Sequence, residues 1–383
     1  MQGGSVIRRA ARRVGGHHRT ATAVVGMGLV LVMSGCGAAG APLKSGTGSP
    51  SAPAGTSAHP SGAASATPAA PTPTPPATDL MAYAATMDGN VVPVDVTAGR
   101  AEAPIPADLR PEAIAITPDG RTAYVADAFA ATVTPIDLTT GVAGAAIPIA
   151  KDGGISSIAI SPSGAIAYVA VVPTAQAYGV VVPIDLATRT LEPGIVVGAV
   201  PVAIGITPDG STAYVVDSGD GTITPIALAT GTVYPQLLVG GNPVDMAITP
   251  DGHAAYVMDD LDTGAVIPIT LSANPVQDVV GSAISAVSGE AEAIAIAPDG
   301  SRAVVVGGTG ARLISLPSGA QLGATISGSF TAVAITPDGT TALLGFFDGT
   351  GGTHGVLPVK LSASTAGAPI ILGGEPTAIA IRP

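Results

Sequence analysis

The sequence predicts an all-β fold built as a ring of repeated four-stranded units. Three observations predict it: a composition rich in turn formers, a motif that occurs seven times, and complementary ends to the repeated region. Gly (51) and Pro (35) are abundant and Trp is absent in a chain of 383 residues that is 47% hydrophobic and 11% charged. The apolar runs are short and bounded by Gly, Pro, Asp and Thr, which reads as strands and turns. Breakers recur too often to leave a long helix.

The motif is clearest at Ala113–Asp127 and returns at Ser157–Ala170, Ala203–Asp217, Asp245–Asp259, Ala293–Val306 and Ala332–Leu344. Its marker prolines are Pro118, Pro162, Pro208, Pro250, Pro298, Pro337 and Pro383, with successive gaps of 44, 46, 42, 48, 39 and 46 residues. A period in the forties matches one blade of a β-propeller. Each unit reads as four strands. The first alternates small and branched residues, as in Ala203–Ile206, and small residues suit a crowded centre. A turn follows at Thr207–Gly210, where Pro presets φ and Gly is free to take φ > 0. The second strand is Ala213–Val216, the third Ile223–Ile226, and the fourth, near Tyr234–Val239, is outermost and least regular.

The ends set the blade count. The repeated region opens with a second-type strand at Met81–Ala84 and finishes with a first-type strand at Ala378–Ile381. The C-terminal strand is therefore expected to pair into the N-terminal blade, closing the ring and removing an open edge. Seven first-type strands give seven blades. Pro93, Pro135, Pro183, Pro225, Pro268 and Pro358 fall inside the third strand of six blades. Proline cannot donate a ladder hydrogen bond, so each is expected at a non-donating position or a regular bulge.

Residues 1–35 read as an export signal. Five arginines precede an uncharged stretch, Ala21–Gly35, that is too short for a comfortable membrane span. Met33–Cys36 resembles the bacterial lipobox, with Met33 where Leu is usual. That resemblance implies that Cys36, the sole cysteine, becomes the lipidated first residue of the exported protein. The alternative is an ordinary signal cut near here, with Cys36 incidental. Residues 36–78 are then the lipidated Cys and a tether of Pro, Ala, Ser, Thr and Gly, too poor in apolar side chains to fold. Residues 79–383 are the propeller. The expected location is the outer face of the cell membrane, held there by lipid.

All 27 acids and only 9 of the 15 bases lie from Asp79 onward. Such an acidic body argues against nucleic acid as a partner. Two histidines, His253 and His354, lie in this region, too few for a multi-histidine copper centre. Both read as exposed turn residues. Tyr83, Tyr124, Tyr168, Tyr214 and Tyr256 belong to the repeat and read as packing between blades. Phe346 and Phe347 break the pattern at a loop and are a candidate contact patch. The turn aspartates Asp119, Asp209, Asp251, Asp299 and Asp338 read as turn formers.

Loops on the opposite face carry Asp88, Asp127, Asp217, Asp220, Asp259, Asp260 and Asp262. Together they could form an acidic rim. The preferred reading is solvated polar loops with no cofactor, and the alternative is a Ca2+ or Mg2+ site made by clustered oxygens. No nucleophile elbow, phosphate loop or metalloprotease motif occurs in a credible context.

The units resemble the YVTN-type β-propeller repeat family. The matching residues include Tyr124–Asp127, Ile136–Asp137 and Thr140–Gly141, and the resemblance covers roughly 80–383. It departs where Asp127, Asp217 and Asp259 stand in place of the more common Asn. The resemblance implies the fold and leaves function open, since propellers serve unrelated roles. The leading expectation is a monomeric, non-enzymatic surface module that binds an envelope or extracellular protein or a small ligand. The alternative is a lactonase-like hydrolase or lyase with a divalent metal at the central pore. The loops that depart most from the repeat, Val171–Tyr178, Asp259–Thr263, Leu271–Ser288 and Phe346–Thr353, are the expected contacts.

Overall fold

The computed structural model describes residues 80–107, 110–260, 264–285, 290–348 and 352–383. The expected signal, tether and Cys36 (1–79) and Asp262 lie outside the described residues. Seven antiparallel sheets form the ring. In chain order, blade 1 holds 81–106 and blades 2 to 7 hold 111–148, 154–196, 201–238, 243–285, 291–326 and 330–372. The innermost strand of blade 1 is Pro376–Ile381, which pairs antiparallel with Met81–Thr86 in the register Ala82↔Ile381 to Ala85↔Ala378. The ring closes as the sequence predicts, by a pairing between residues nearly 300 positions apart, as in Ala85 with Ala378.

The alternation in the first strands explains the core. Strand side chains point to opposite faces with period two. Ala113 and Ala115 of blade 2 lie in one cluster with Ile158 and Ile160 of blade 3, while Ile114 and Ile116 lie with Ala378 and Ala380 of blade 1. Each inner strand thus sets a small face against the branched face of the next. Near the axis the blades converge, and an alanine against an isoleucine fills the gap that two isoleucines would overfill. Blade 4 carries the exception. Gly205 replaces the alanine, and a Cβ there would stand 2.9 Å from Met246 Cε and 3.1 Å from Ile248 Cδ1. Met246 is the one methionine among the inner-strand isoleucines and valine at this position, so the glycine makes room for the longer side chain. The five repeat tyrosines are buried in the clusters between blades, and Tyr214 donates to Asp278 at 2.7 Å.

The turns between first and second strands are locked locally. Thr117 Oγ1 donates to Asp119 Oδ1 at 2.6 Å, and the same oxygen accepts from Arg121 N at 3.0 Å. Thr207 and Asp209, Thr249 and Asp251, and Thr336 and Asp338 repeat the arrangement. Gly120 closes its turn at φ +67, a conformation open to glycine without strain. The turn aspartates are turn formers, as expected.

The third-strand prolines occupy non-donating positions in the second-to-third ladder. Tyr124 faces Pro135, and Tyr83, Tyr168, Tyr214, Tyr256 and Leu343 face the other five. Each proline turns its carbonyl outward instead, where it accepts one bond from the fourth strand, such as Gly144 N to Pro135 O at 2.7 Å. A hydrogen-bonded antiparallel pair exchanges two bonds, and proline cannot return the second. The fourth strand parts from the ladder there. It is split in all six blades, as Val142–Ala143 and Ile147–Pro148 in blade 2, a break that the single strand expected near Tyr234–Val239 did not include. Blade 6 has Leu313 at the proline position, and its fourth strand, Gln321–Ile326, is a single element with a register shift opposite Ala311–Leu313.

The packing rule yields a coupled prediction. Gly205→Ala alone should destabilise the ring by roughly 1–3 kcal/mol through overpacking. Met246→Ile added to it should recover most of that loss, because the pair then matches the other blades. A double-mutant cycle by thermal melting checks it, and purely additive effects would count against the rule.

Candidate functional site

The upper face of the ring carries the turns between second and third strands and the loops that lead into each first strand. Every first strand has a one-residue bulge at this end. Pro111 pairs with Asp127 and Ala113 with Ala126, leaving Glu112 as the extra residue. The corresponding residues are Ser156, Val202, Val244, Glu292, Thr331 and Thr377. Three of them tie neighbouring blades. Ser156 Oγ donates to Pro201 O at 2.6 Å, Thr331 Oγ1 to Pro376 O at 2.7 Å and Thr377 Oγ1 to Pro111 O at 2.7 Å.

Glu112 and Glu292 take the same ring position with carboxyls. Burial pushes the pKa of each up to about 7. Arg110 opposes this at Glu112, but its Nε stands 3.9 Å from Oε2, too far for a hydrogen bond, and burial prevails. At Glu292 the nearby charges of Asp260, Glu290 and Glu375 push in the same direction as burial. Arg110 also lies 5.0 Å from the centre of the Phe129 ring, a cation–π contact. The sequence analysis missed both glutamates. The available signal was a charged residue inside a strand whose other copies carry Ser, Thr or Val.

The acids expected to form a rim are spent one by one on backbone N–H and hydroxyl groups, most of them within their own blade and Asp260 of blade 5 on the first strand of blade 6. Asp127 accepts from the backbone N–H groups of Arg110 (2.5 Å), Phe129 (2.9 Å) and Ala130 (2.6 Å). Asp259 accepts from Asn242 N at 2.7 Å, Asp220 from Ala199 N at 2.7 Å and Asp260 from Ala291 N at 2.9 Å. Asp217 is fully buried and accepts from the Thr224 hydroxyl, and burial raises its pKa to about 7. Asp88 accepts from Thr86 Oγ1 at 2.6 Å. These aspartates therefore pin the leading loops and turns of separate blades. Among the described residues, no three His, Cys, Asp or Glu side chains are grouped as metal ligands. Asp245, an acid that the sequence analysis did not single out, is also buried and joins blades 5 and 6 by accepting from Ile294 N at 2.9 Å.

Phe346 and Phe347 lie at the end of a strand, Thr341–Phe347, rather than in a loop. His354 likewise begins the strand His354–Lys360 and is half-buried, whereas His253 is exposed as expected. The Phe pair marks a local rebuilding of the repeat. In blades 2, 4 and 5 the first residue of the inner strand pairs with a loop-pinning aspartate: Pro111 with Asp127, Pro201 with Asp217 and Pro243 with Asp259. Blade 7 has Phe330 paired with Phe346 instead. Beside them is a cavity of about 510 Å3, lined by Phe330, Phe346, Phe347, Leu357, Pro369 and Ile371, by Ser327, Gly328, Ser329 and Thr353, and by Asp348.

No family model and no curated protein matches this sequence. Solved structures do match the fold. One is a functionally unknown protein from Desulfotomaculum acetoxidans DSM 771, with a TM-score of 0.67, 15% identity and coverage of 79% of this chain and 99% of that one. Another is a chain of Kuenenia stuttgartiensis hydrazine synthase, with a TM-score of 0.59, 22% identity and coverage of 70% of this chain and 88% of that one. At these identities the likeness shows the fold alone, a seven-bladed β-propeller.

The raised glutamates make stability pH-dependent in a defined direction. A glutamate titrates near 4.5 when unperturbed and near 7 at these two positions. Between those values the folded chain holds more protons than the unfolded chain, so stability falls as pH rises through the window. The contribution is complete below about pH 4.5 and lost above about pH 7. Melting temperature should therefore be higher at pH 5 than at pH 8. Glu112→Gln with Glu292→Gln should flatten that slope and stabilise the protein at pH 8, by roughly 1–2 kcal/mol per site after allowance for solvent. An unchanged slope in the double variant would refute the assignment.

Proposed function

We propose that this chain is an exported, lipid-anchored β-propeller whose upper face binds an envelope or extracellular partner, protein or small ligand, without catalysing a reaction on it. One observation carries the reading: where blades 2, 4 and 5 use a Pro–Asp pair to pin the upper loops, blade 7 uses Phe330 and Phe346 and has a cavity beside them. The rest of the upper face supports it, because the aspartates read from the sequence are engaged in holding loops and turns. The resemblance to the YVTN-type repeat family and the lipobox-like Met33–Cys36 support a surface role. On this reading the disc is a rigid frame, its tether gives reach, and specificity lies where the repeat is broken.

A second reading keeps an enzyme of lactonase or lyase type. Its specific support is the pair of upper-ring carboxyls, Glu112 and Glu292, whose pKa values near 7 suit proton transfer at neutral pH. Such an enzyme would lose turnover in the Glu112→Gln and Glu292→Gln variants, while a binding module would keep its partner.

Two experiments test the proposal. Cys36→Ala should move the protein out of the membrane fraction, or leave it there only through an uncleaved signal, with no acyl mass on the chain. A normal acylated product in that variant would exclude Cys36 as the anchor. Cross-linking on intact cells followed by purification should enrich one reproducible partner, and replacing Phe346 and Phe347 by Asp and Ser should reduce its recovery. Recovery that is unaffected by changes anywhere on the upper face would overturn the reading.

A further inference from the structure

The blade-7 cavity is the product of three coordinated departures from the repeat. Phe330 stands where four other blades have proline, and Phe346 stands where three of those four have aspartate. The residue paired with Phe346 in the third strand is Gly355, whereas the residues paired with Asp127, Asp217 and Asp259 are Thr132, Thr222 and Ala265. A Cβ on Gly355 would lie 2.2 Å from the Ile370 carbonyl oxygen and 2.9 Å from Phe346 Cε1, and one on Gly328 would lie 2.8 Å from Phe330 Cζ. Each ring therefore lies against a glycine that leaves it space. The whole chain has four phenylalanines, and three of them line this one cavity. A random scatter of aromatic residues would not bring its own glycines.

We infer that this cavity binds a small neutral or cationic molecule with a flat apolar ring system. Its volume, about 510 Å3, lies within the range of roughly 300–1,000 Å3 usual for small-molecule sites. The half-buried Phe346 and Phe347 offer ring surface to a flat ligand, and the buried Phe330 packs beneath them. The Ser327, Ser329 and Thr353 hydroxyls can fix its orientation. Charge selects against anions: no lining residue is basic, Asp348 is acidic, and the region from Asp79 onward carries all 27 acids against 9 bases. The inference deepens the binding reading above and rests on it in taking the upper face as the working face.

The test uses the whole exported chain from residue 36 onward with Cys36→Ser, which removes the lipid and the need for detergent. The probes are N-phenyl-1-naphthylamine, a neutral aromatic amine that fluoresces in apolar surroundings, and 1-anilinonaphthalene-8-sulfonate, an anion with a similar ring system. The neutral probe should bind saturably at one site per chain, and the anion at least about tenfold more weakly. Restoring the repeat with Phe330→Pro and Phe346→Asp should weaken the neutral probe by about tenfold or more, while Phe129→Ala leaves it unchanged. If the restored variant melts early, Ile371→Lys, a change at an exposed residue of the lining, provides the same reading in an intact fold. Equal binding of the neutral probe to the restored or Lys variant, or tighter binding of the anion, would overturn the inference. No probe binding, together with partner capture that is lost in the Phe346 variant, would put a protein side chain in the cavity. That outcome would sink the ligand class while leaving the binding function standing.

Discussion

The structure depends on one contact repeated around a ring, the small face of each inner strand against the branched face of the next. Blades converge toward the axis, so two large faces cannot meet there, and two small faces would leave voids. Ala113 and Ala115 against Ile158 and Ile160, and Ala378 and Ala380 against Ile114 and Ile116, solve this with one alternating strand used seven times. The rule is directional, because every blade needs a neighbour on both sides. That is why the C-terminal strand must fill the place beside Met81–Thr86: without it, blade 1 would lack its innermost strand and the ring would have a gap. Gly205 beside Met246 shows the same constraint in another form, with total volume kept while the division between partners shifts.

Much of this was legible in the sequence because it repeats. The alternation, the Pro-Asp-Gly turns, the seven copies and the complementary ends each have a short-range signature, and together they fixed fold and closure. What was not legible depends on pairing between strands. The bulge that places Glu112 and Glu292 in a ring with Ser156, Thr331 and Thr377 adds one residue to a strand and leaves no mark in the spacing. The split of the fourth strand follows from a missing proline N–H, but only once the proline is known to face outward. The aspartates at the ends of second strands looked like a shared acidic rim. Asp127 and Asp259 instead reach back 17 residues to the loop of their own blade, to Arg110 and Asn242. Phe346 and Phe347 were visible as an anomaly, yet their partner Phe330 and the glycines beside the rings needed the register to be seen as one unit.

The division of labour across the disc follows from the same facts. The lower face is built from turns that satisfy their own polar groups, such as Thr117 with Asp119. The upper face mixes inter-blade hydroxyl bonds, pinned loops, the buried Glu112, the half-buried Glu292 and one aromatic cavity. A frame held so uniformly by packing can vary this upper-edge pair without losing the ring, as with Ile155 and Val171 in blade 3, Ala291 and Gly307 in blade 6 and Phe330 and Phe346 in blade 7. In blade 7 the change comes with an aromatic cavity, and the functional reading is placed there for that reason.

The central claim is that the seven blades form one closed packing unit in which Pro376–Ile381 is an equal member. Native-state hydrogen exchange with peptide-level resolution tests it most directly. The account predicts that the amides of Ala378–Ile381 and of Ala82–Ala85 exchange as slowly as those of Ile114–Ile116 and Ile294–Ile296, and that all are lost together as denaturant is raised. Fast exchange confined to the C-terminal strand, with the other inner strands still protected, would show that the ring is open in solution and would contradict the account.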